Sequence, residues 1–285
     1  GVIVDAEREA ARRKRPEDLS AYELYLAGID QMRRNTKEGI EESVCLFGQA
    51  AEKDPHLARA WTALAAAHDY SVSFGTDPAV AEIKAKAAAE RAVALDPTDA
   101  RAHRALAEVL ATQGDFTRAA AAFETALRLN PGDASLLATY ASWAGPFGDP
   151  ARGAEAADRA IRLNPHYDVG TANRYRAAYF AAGRYEDALK MVERQPPESR
   201  SIVGVVDRAA SYAALGREEE ARKAMVDALA RFPEMSIQGL LSRPMFTEEE
   251  RGRYSDLMRK AGFPICAKPE DLGRFEKPLQ LAECP

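Results

Sequence analysis

One short pattern occurs twice in the chain at a spacing of 34 residues. Leu129-Asn130-Pro131 recurs as Leu163-Asn164-Pro165, and Gly114-Asp115 recurs as Gly148-Asp149. A fixed period of this length is typical of proteins in which each repeat is a helix-turn-helix hairpin stacked against the next. The period therefore predicts an array of helical pairs.

Three kinds of residue follow this period along the chain: prolines that close units, alanines within helices, and glycines in turns. They are Pro55, Pro97, Pro131, Pro165 and Pro233; Ala50, Ala92, Ala126, Ala160 and Ala228; and Gly114, Gly148, Gly183 and Gly216. We expect the alanines where two helices approach too closely for a larger side chain. We expect the glycines to adopt a left-handed backbone at the end of each first helix. The second unit departs from the period through an eight-residue insertion between Asp69 and Pro78.

The pattern resembles the tetratricopeptide repeat. The third unit carries that family's signature places, and the sixth unit matches nearly as well; in the third they are Ala107, Ala119, Phe123, Ala126 and Pro131. The resemblance implies an all-α fold, a right-handed superhelix of antiparallel helix pairs with about six repeats and a C-terminal capping helix. A composition with 46% hydrophobic but only 8% aromatic residues also favours close helix packing over a sheet.

The chain is predicted to contain three segments. Residues 1–19 are interpreted as a linker helix in a fragment of a longer protein, residues 20–263 as the array with its capping helix, and residues 264–285 as a tail. Ser20 with Glu23, and Thr247 with Glu250, have the spacing of capping boxes that begin the first and the capping helix. The tail has four prolines and little periodicity. We expect it either to lie on the array or to be disordered.

Composition indicates a protein without affinity for nucleic acid or membranes. The net charge is −5, and no apolar run reaches the roughly 18 residues that a membrane helix needs. Cys45, Cys266 and Cys284 are odd in number and far apart, so we expect neither a disulfide framework nor a zinc site. A reducing cytoplasm is the predicted location.

No pattern in the sequence predicts an enzyme. The four histidines are scattered, and there is neither a glycine-rich phosphate loop nor a nucleophile elbow. Glu248, Glu249 and Glu250 are consecutive on a predicted helix, so their carboxylates point in three directions. We therefore predict no catalytic residue, no metal and no cofactor.

The resemblance implies a concave groove lined by the first helix of each hairpin. By family position the lining comprises Arg59, Thr62, Arg101, Arg104, Glu108, Ser135, Ser142, Asn173 and Arg176. Arginine is the commonest charged residue among them, and a guanidinium binds carboxylates through paired hydrogen bonds. We therefore expect a protein or peptide partner with acidic groups. The alternative is that these arginines only solvate the groove.

A second resemblance spans nearly the whole chain. The stretch 21–28, preceded by a basic helix and Pro16-Glu17-Asp18-Leu19, the long insertion in the second unit, and the closing stretch 259–264 resemble the C-terminal repeat region of bacterial adenylate/guanylate cyclase-type proteins. This implies a regulatory or partner-binding module whose cyclase domain precedes Gly1. The alternatives are the repeat region of a winged-helix transcriptional regulator and an enzyme with an unrecognised site in the groove.

Overall fold

The computed structural model of the chain describes residues 19–243, 246–273, 275 and 277–284. These residues form fifteen α-helices and two short 3-10 helices, with no strand among them. The predicted all-α fold is thereby confirmed. The linker helix predicted for residues 1–19 lies outside the described residues except for Leu19. Among the described helices, none has the length and apolar character needed to cross a bilayer.

The chain divides into two compact units, Gly1–Pro131 and Gly132–Pro285. The described part of unit 1 contains three helical hairpins, and the first helices of successive hairpins also contact each other. Its helices are α1 (Ala21–Arg33), α2 (Lys37–Lys53), α3 (Ala58–Ser71), α4 (Pro78–Leu95), α5 (Ala100–Thr112) and α6 (Phe116–Leu129), with a 3-10 helix (Val72–Phe74) after α3.

Unit 2 also contains three hairpins in its described part, followed by three further helices. They are α7 (Ala134–Trp143), α8 (Pro150–Leu163), α9 (Val169–Ala181), α10 (Tyr185–Glu193), α11 (Ile202–Ala214), α12 (Glu218–Arg231), α13 (Ile237–Leu241), α14 (Glu248–Ala261) and α15 (Pro269–Leu272), with a 3-10 helix (Pro197–Ser199) before α11. The six described hairpins and the helix α14 agree with the predicted six repeats and capping helix. Both predicted capping boxes, at Ser20 and Thr247, are formed.

The periodic alanines and glycines have the roles that their spacing predicts. All five alanines, from Ala50 to Ala228, are fully buried. The four turn glycines have φ between 71° and 83°, and an added Cβ would meet no atom within 4 Å at any of them. The left-handed backbone, and not a lack of space, therefore selects glycine at these turns.

The insertion in the second hairpin lengthens its second helix. α4 has 18 residues, whereas α6, the second helix of the next hairpin, has 14. Asp77 caps the N-terminus of α4 by accepting hydrogen bonds from the backbone N–H groups of Ala79 and Val80, and Pro78 occupies the first helical turn. The insertion therefore adds one helical turn to α4.

The tail contains a disulfide, so the prediction that the cysteines form none is wrong. Cys266 and Cys284 are bonded across a separation of 18 residues. The buried side chain of Gln238 on α13 binds both arms of the intervening loop. Its Oε1 accepts from the Ala267 N–H at 3.0 Å, and its Nε2 donates to the Leu279 carbonyl at 3.0 Å. The chain folds back on α13 through these contacts, which no periodic pattern in the tail indicates.

Candidate functional site

The first helices of unit 1 hold five of the nine predicted groove residues. Helix α3 contacts both α1 and α5, so these three helices are neighbours. We use the name inner face of unit 1 for polar and aromatic side chains of these helices and of the residue that caps α5: Tyr22, Tyr25, Arg59, Thr62, Asp99, Arg101, Arg104 and Glu108.

Arg101 is held by the residue that caps its own helix. Asp99 accepts the backbone N–H of Arg101 at 2.9 Å, and the guanidinium donates to both carboxylate oxygens, at 3.0 Å from Nε and 2.8 Å from Nη2. Burial of Asp99 alone would raise its pKa, but the hydrogen bonds from Arg101 outweigh burial and lower it. The side chain of Arg101 is about half exposed. Asp99 thus fixes its direction and leaves part of it open to a ligand.

Arg104 and Arg59 differ in whether a carboxylate pairs with their guanidinium group. Arg104 pairs with Glu108 one turn along α5, with Nε and Oε2 3.7 Å apart. Arg59 is exposed and, among the described residues, forms no hydrogen bond or ion pair. Its charge still acts on Asp99 through space. Arg59 is therefore the arginine of this face whose guanidinium has its donors available.

Two tyrosines on α1 lie beside these charges. The rings of Tyr22 and Tyr25 stack with their centroids 5.9 Å apart, and Tyr25 also contacts the buried ring of Phe47 at 6.1 Å. Tyr25 lies within electrostatic range of Arg101. Both tyrosines are half-buried. A ligand on this face would therefore meet aromatic surface next to guanidinium groups.

Thr62, the remaining predicted residue of unit 1, is half-buried. Its Oγ1 donates to the carbonyl of Ala58 on its own helix at 3.2 Å. The hydroxyl hydrogen is thereby used within the helix, although its oxygen can still accept a hydrogen bond.

The four predicted residues of unit 2 are spread over α7 and α9. Ser135 is exposed, and Ser142 is half-buried and donates to the Thr139 carbonyl at 2.8 Å. The Asn173 Oδ1 accepts from Gln195 at 3.4 Å. Arg176 is the only one of the nine predicted residues that is buried, at 5% exposure. Its side chain therefore does not point to an open surface.

Helix α14 explains the burial of Arg176. Arg176 forms an ion pair with Asp207 of α11, and the Tyr254 hydroxyl of α14 donates to the same carboxylate at 2.7 Å. The Tyr254 ring also packs on Phe180 of α9 with centroids 4.8 Å apart. The capping helix thus covers the first helices of unit 2 at this point. Asp207 lies in an apolar stretch of α11, and an acidic residue there is the signal that indicates a buried partner.

Glu250, at the start of α14, caps the N-terminus of its helix. The Glu250 carboxylate accepts from the Thr247 backbone N–H at 3.0 Å, which completes the capping box. Nowhere in the described part of the chain do three or more His, Cys, Asp or Glu residues group in a way that could hold a metal ion.

One segment of the chain matches a family model. Residues 84–134 match the family model described as tetratricopeptide repeat. This segment contains most of α4 and all of α5 and α6. Among curated proteins, none matches the sequence.

Solved structures share the fold at low sequence identity. The APC/C hetero-tetramer Cut9–Hcn1 matches with a TM-score of 0.66 and 17% identity, covering 91% of this chain and 46% of that one. Pseudomonas aeruginosa pilF matches with a TM-score of 0.54 and 16% identity, covering 81% and 95%. TTC0263, a tetratricopeptide protein of Thermus thermophilus, matches with 0.51 and 18%, covering 69% and 99%. This chain spans less than half of the Cut9–Hcn1 chain, and identities this low show the fold alone.

Proposed function

We propose that the chain is a protein-interaction module that binds an acidic peptide on the inner face of unit 1. The tetratricopeptide segment at residues 84–134 and the fold shared with tetratricopeptide arrays support this proposal. Arg59 and Arg101 supply the cationic contacts, and Tyr22 and Tyr25 supply the aromatic surface. The peptide contributes carboxylates, because a guanidinium offers paired donors that match a carboxylate.

The observation that carries this proposal is the unequal use of the arginines. Arg59 is exposed without a hydrogen bond or ion pair to any described residue, while Asp99 orients Arg101 and leaves it half exposed. An oriented cation loses less conformational freedom on binding than a free one. Arg104, paired with Glu108, contributes less.

The predicted residues of unit 2 form no part of this site. Arg176 is neutralised by Asp207 under α14, so it offers no charge to a ligand. Ser135, Ser142 and Asn173 are neutral. The acidic ligand of this proposal therefore binds in unit 1.

A peptide-display selection tests the proposal and does not require the natural partner to be identified first. Random peptides are selected on the wild-type chain and, in parallel, on Arg59→Glu and on Arg128→Glu. Arg128 is an exposed arginine of α6 and serves as the matched control. We expect peptides rich in Asp and Glu from the wild type and the control, and their loss with Arg59→Glu. Enriched peptides without net negative charge would contradict the proposal.

The resemblance to cyclase-type proteins supports a more specific proposal. In it, this module is the regulatory or partner-binding region of a bacterial nucleotide cyclase-type signalling protein, with a winged-helix transcriptional regulator as the alternative parent. The natural full-length sequence tests both parents. A cyclase core ahead of Gly1 supports the cyclase parent, and a winged helix there supports the regulator. If the full-length sequence has neither domain ahead of Gly1, both proposals are overturned.

A cytoplasmic location also stays a proposal. The odd number and wide separation of the cysteines predict a reducing compartment, but Cys266 and Cys284 form a disulfide. Persistent disulfides are typical of oxidising compartments. Localisation of a tagged full-length protein, with cytoplasmic and exported markers as controls, distinguishes a cytoplasmic location from an exported one.

A further inference from the structure

Helix α4 is apolar on two opposite sides. Its buried side consists of alanines, namely Ala81, Ala85, Ala88, Ala89 and Ala92. Its solvent side carries Val80 at 47% and Ile83 at 71% exposure. A surface helix normally presents polar residues to solvent. Packing within the hairpin explains the apolar residues on the buried side of α4, but it does not explain those on the solvent side.

Five apolar residues lie along the solvent side, with Glu90 among them. We call them the outer stripe of α4: Ala79, Val80, Ile83, Ala87 and Ala94, all exposed. At 3.6 residues per turn they lie within an arc of about 100°. Single exposed apolar residues are common, but a stripe that runs the length of a helix is typical of an interaction surface.

Cations border the outer stripe on both sides. Helical spacing places Lys84 and Arg91 along one border and Lys86 along the other. Glu90, which lies among the stripe residues, is paired with Arg118 at 3.6 Å. In the described part of the chain, Lys84, Lys86 and Arg91 take part in no ion pair. The border with Lys84 and Arg91 is therefore positively charged, whereas on the other border Lys86 lies one helical turn from Glu82 without forming an ion pair with it.

The insertion contributes part of this surface. Val80 lies in the turn by which α4 exceeds the repeat period. Tyr70, near the end of the preceding helix α3, is also exposed. The hairpin thus extends beyond the repeat period with apolar side chains in contact with solvent.

We propose that the outer stripe of α4 docks an amphipathic helix of a partner protein whose apolar side is bordered by Asp and Glu. Alanines at every second turn allow close approach of a second helix, and Val80 and Ile83 supply the larger side chains that pack between its residues. Acidic borders on the partner complement Lys84, Lys86 and Arg91. No stripe residue belongs to α1, α3 or α5, so this docking is independent of peptide binding on the inner face of unit 1.

Two other occupants fit less well. A second copy of this chain would bring its own basic borders against these, and like charges repel. A membrane surface is favoured by helices with large apolar residues such as Trp, Phe and Leu, whereas three of the five stripe residues are alanine.

Two synthetic helices of about 18 residues, or five turns, test the proposal. Both carry the same Leu and Ala side, which is bordered by Glu in one peptide and by Lys in the other. Binding to the full chain is measured by fluorescence anisotropy. We expect the Glu-bordered peptide to bind and the Lys-bordered peptide not to bind. Ile83→Glu weakens binding about tenfold or more, as expected for a central apolar contact, and Lys84→Glu with Arg91→Glu reverses the preference between the peptides.

Val226→Glu is the matched control, because Val226 is 58% exposed on α12 and lies outside the stripe. It leaves binding unchanged. Circular dichroism checks that each variant stays folded, which we expect because every changed side chain is exposed. The proposal is overturned if neither peptide binds, or if Ile83→Glu binds as wild type does. Two further results would overturn it if the Glu-bordered peptide also fails to bind. In one, the wild-type chain sediments with anionic phosphatidylserine vesicles and Ile83→Glu does not, which would indicate a membrane surface. In the other, the wild-type chain forms a dimer and Ile83→Glu does not, which would indicate a second copy of the chain.

Discussion

Arg176 on α9 and Asp207 on α11 form an ion pair in the interior of unit 2, with 5% and 0% of their surfaces exposed. Tyr254 on α14 donates its hydroxyl to the same carboxylate at 2.7 Å. Burial raises the pKa of Tyr254, which keeps it a neutral donor. The pair therefore links two successive hairpins and the capping helix.

Removal of one partner of this pair is expected to be strongly destabilising. Asp207→Ala leaves a buried guanidinium without its counter-charge, which typically costs about 3 to 5 kcal/mol. Urea unfolding of the variant, followed by circular dichroism, measures the loss in the free energy of unfolding.

Two further variants separate the charge effect from packing. Arg176→Met with Asp207→Leu removes both charges and keeps apolar volume, so it should cost much less than Asp207→Ala alone. Arg222→Met changes an exposed arginine of α12 and should have little effect. A loss below about 1 kcal/mol for Asp207→Ala would show that the pair is not buried.

Ala126 marks the contact between the helices of the third hairpin. It is fully buried on α6, so Ala126→Leu forces extra methyl groups into a packed interior and should cost about 1 to 3 kcal/mol. Ala121 is exposed on the same helix, and Ala121→Leu is the control. Thermal unfolding compares the two. Equal melting temperatures for both variants and wild type would show that the assigned repeat register is wrong.

The carboxylate of Asp158 predicts a pH dependence of stability. It accepts from Arg184 and from the Tyr179 hydroxyl, both at 2.7 Å. Burial alone would raise its pKa, but these hydrogen bonds outweigh burial and lower it. A lowered folded pKa means that the stabilisation is present above the ordinary carboxyl value of about 3.9 and is lost as pH falls through the folded value.

Asp158→Asn should therefore cost about 1 kcal/mol at pH 7, a modest figure because the pair is partly exposed. The difference from wild type should shrink as the pH is lowered below about 4. Urea unfolding at a series of pH values measures it. Asp256→Asn, at an exposed position on α14, is the control. A difference that stays constant down to about pH 3 would contradict the assignment.

The disulfide predicts how many thiols the chain exposes to a reagent. Cys45 is free, and Cys266 is bonded to Cys284. Thiol titration of the denatured, unreduced chain should find one thiol, and titration after reduction should find three. Cys45→Ser should give none before reduction. Three thiols without reduction would show that the bond is absent.

The repeat architecture could be predicted because its causes are local and periodic. Ala126 and Gly114 recur at fixed spacing, since each hairpin needs the same close contact and the same left-handed turn. Arg176 shows where this reasoning stops. Family position assigns it to an open groove, but its environment depends on Asp207 and on Tyr254, 78 residues later in the chain.

The disulfide could not be predicted for a related physical reason. Cys266 and Cys284 lie in a segment without periodicity, and tertiary contacts, among them those of Gln238 with both arms of the loop, bring them together. Such a contact depends on tertiary folding, which spacing alone does not encode. Helical spacing places the apolar residues of the outer stripe on one side of α4, but their exposure is visible only in the structure.

The claim that the inner face of unit 1 binds acidic peptides is tested most directly by calorimetric titration. The full chain is titrated with an Asp- and Glu-rich peptide, at low and high salt, and with the same peptide carrying Asn and Gln instead. Two double variants are compared. The first carries Arg59→Glu and Arg101→Glu, and the second carries Arg128→Glu and Arg222→Glu, which make the same change in net charge at exposed positions on α6 and α12. We expect binding of the acidic peptide alone, weaker at high salt, and lowered about tenfold or more by the first double variant but not by the second. Equal affinity of both double variants for the acidic peptide would contradict the account.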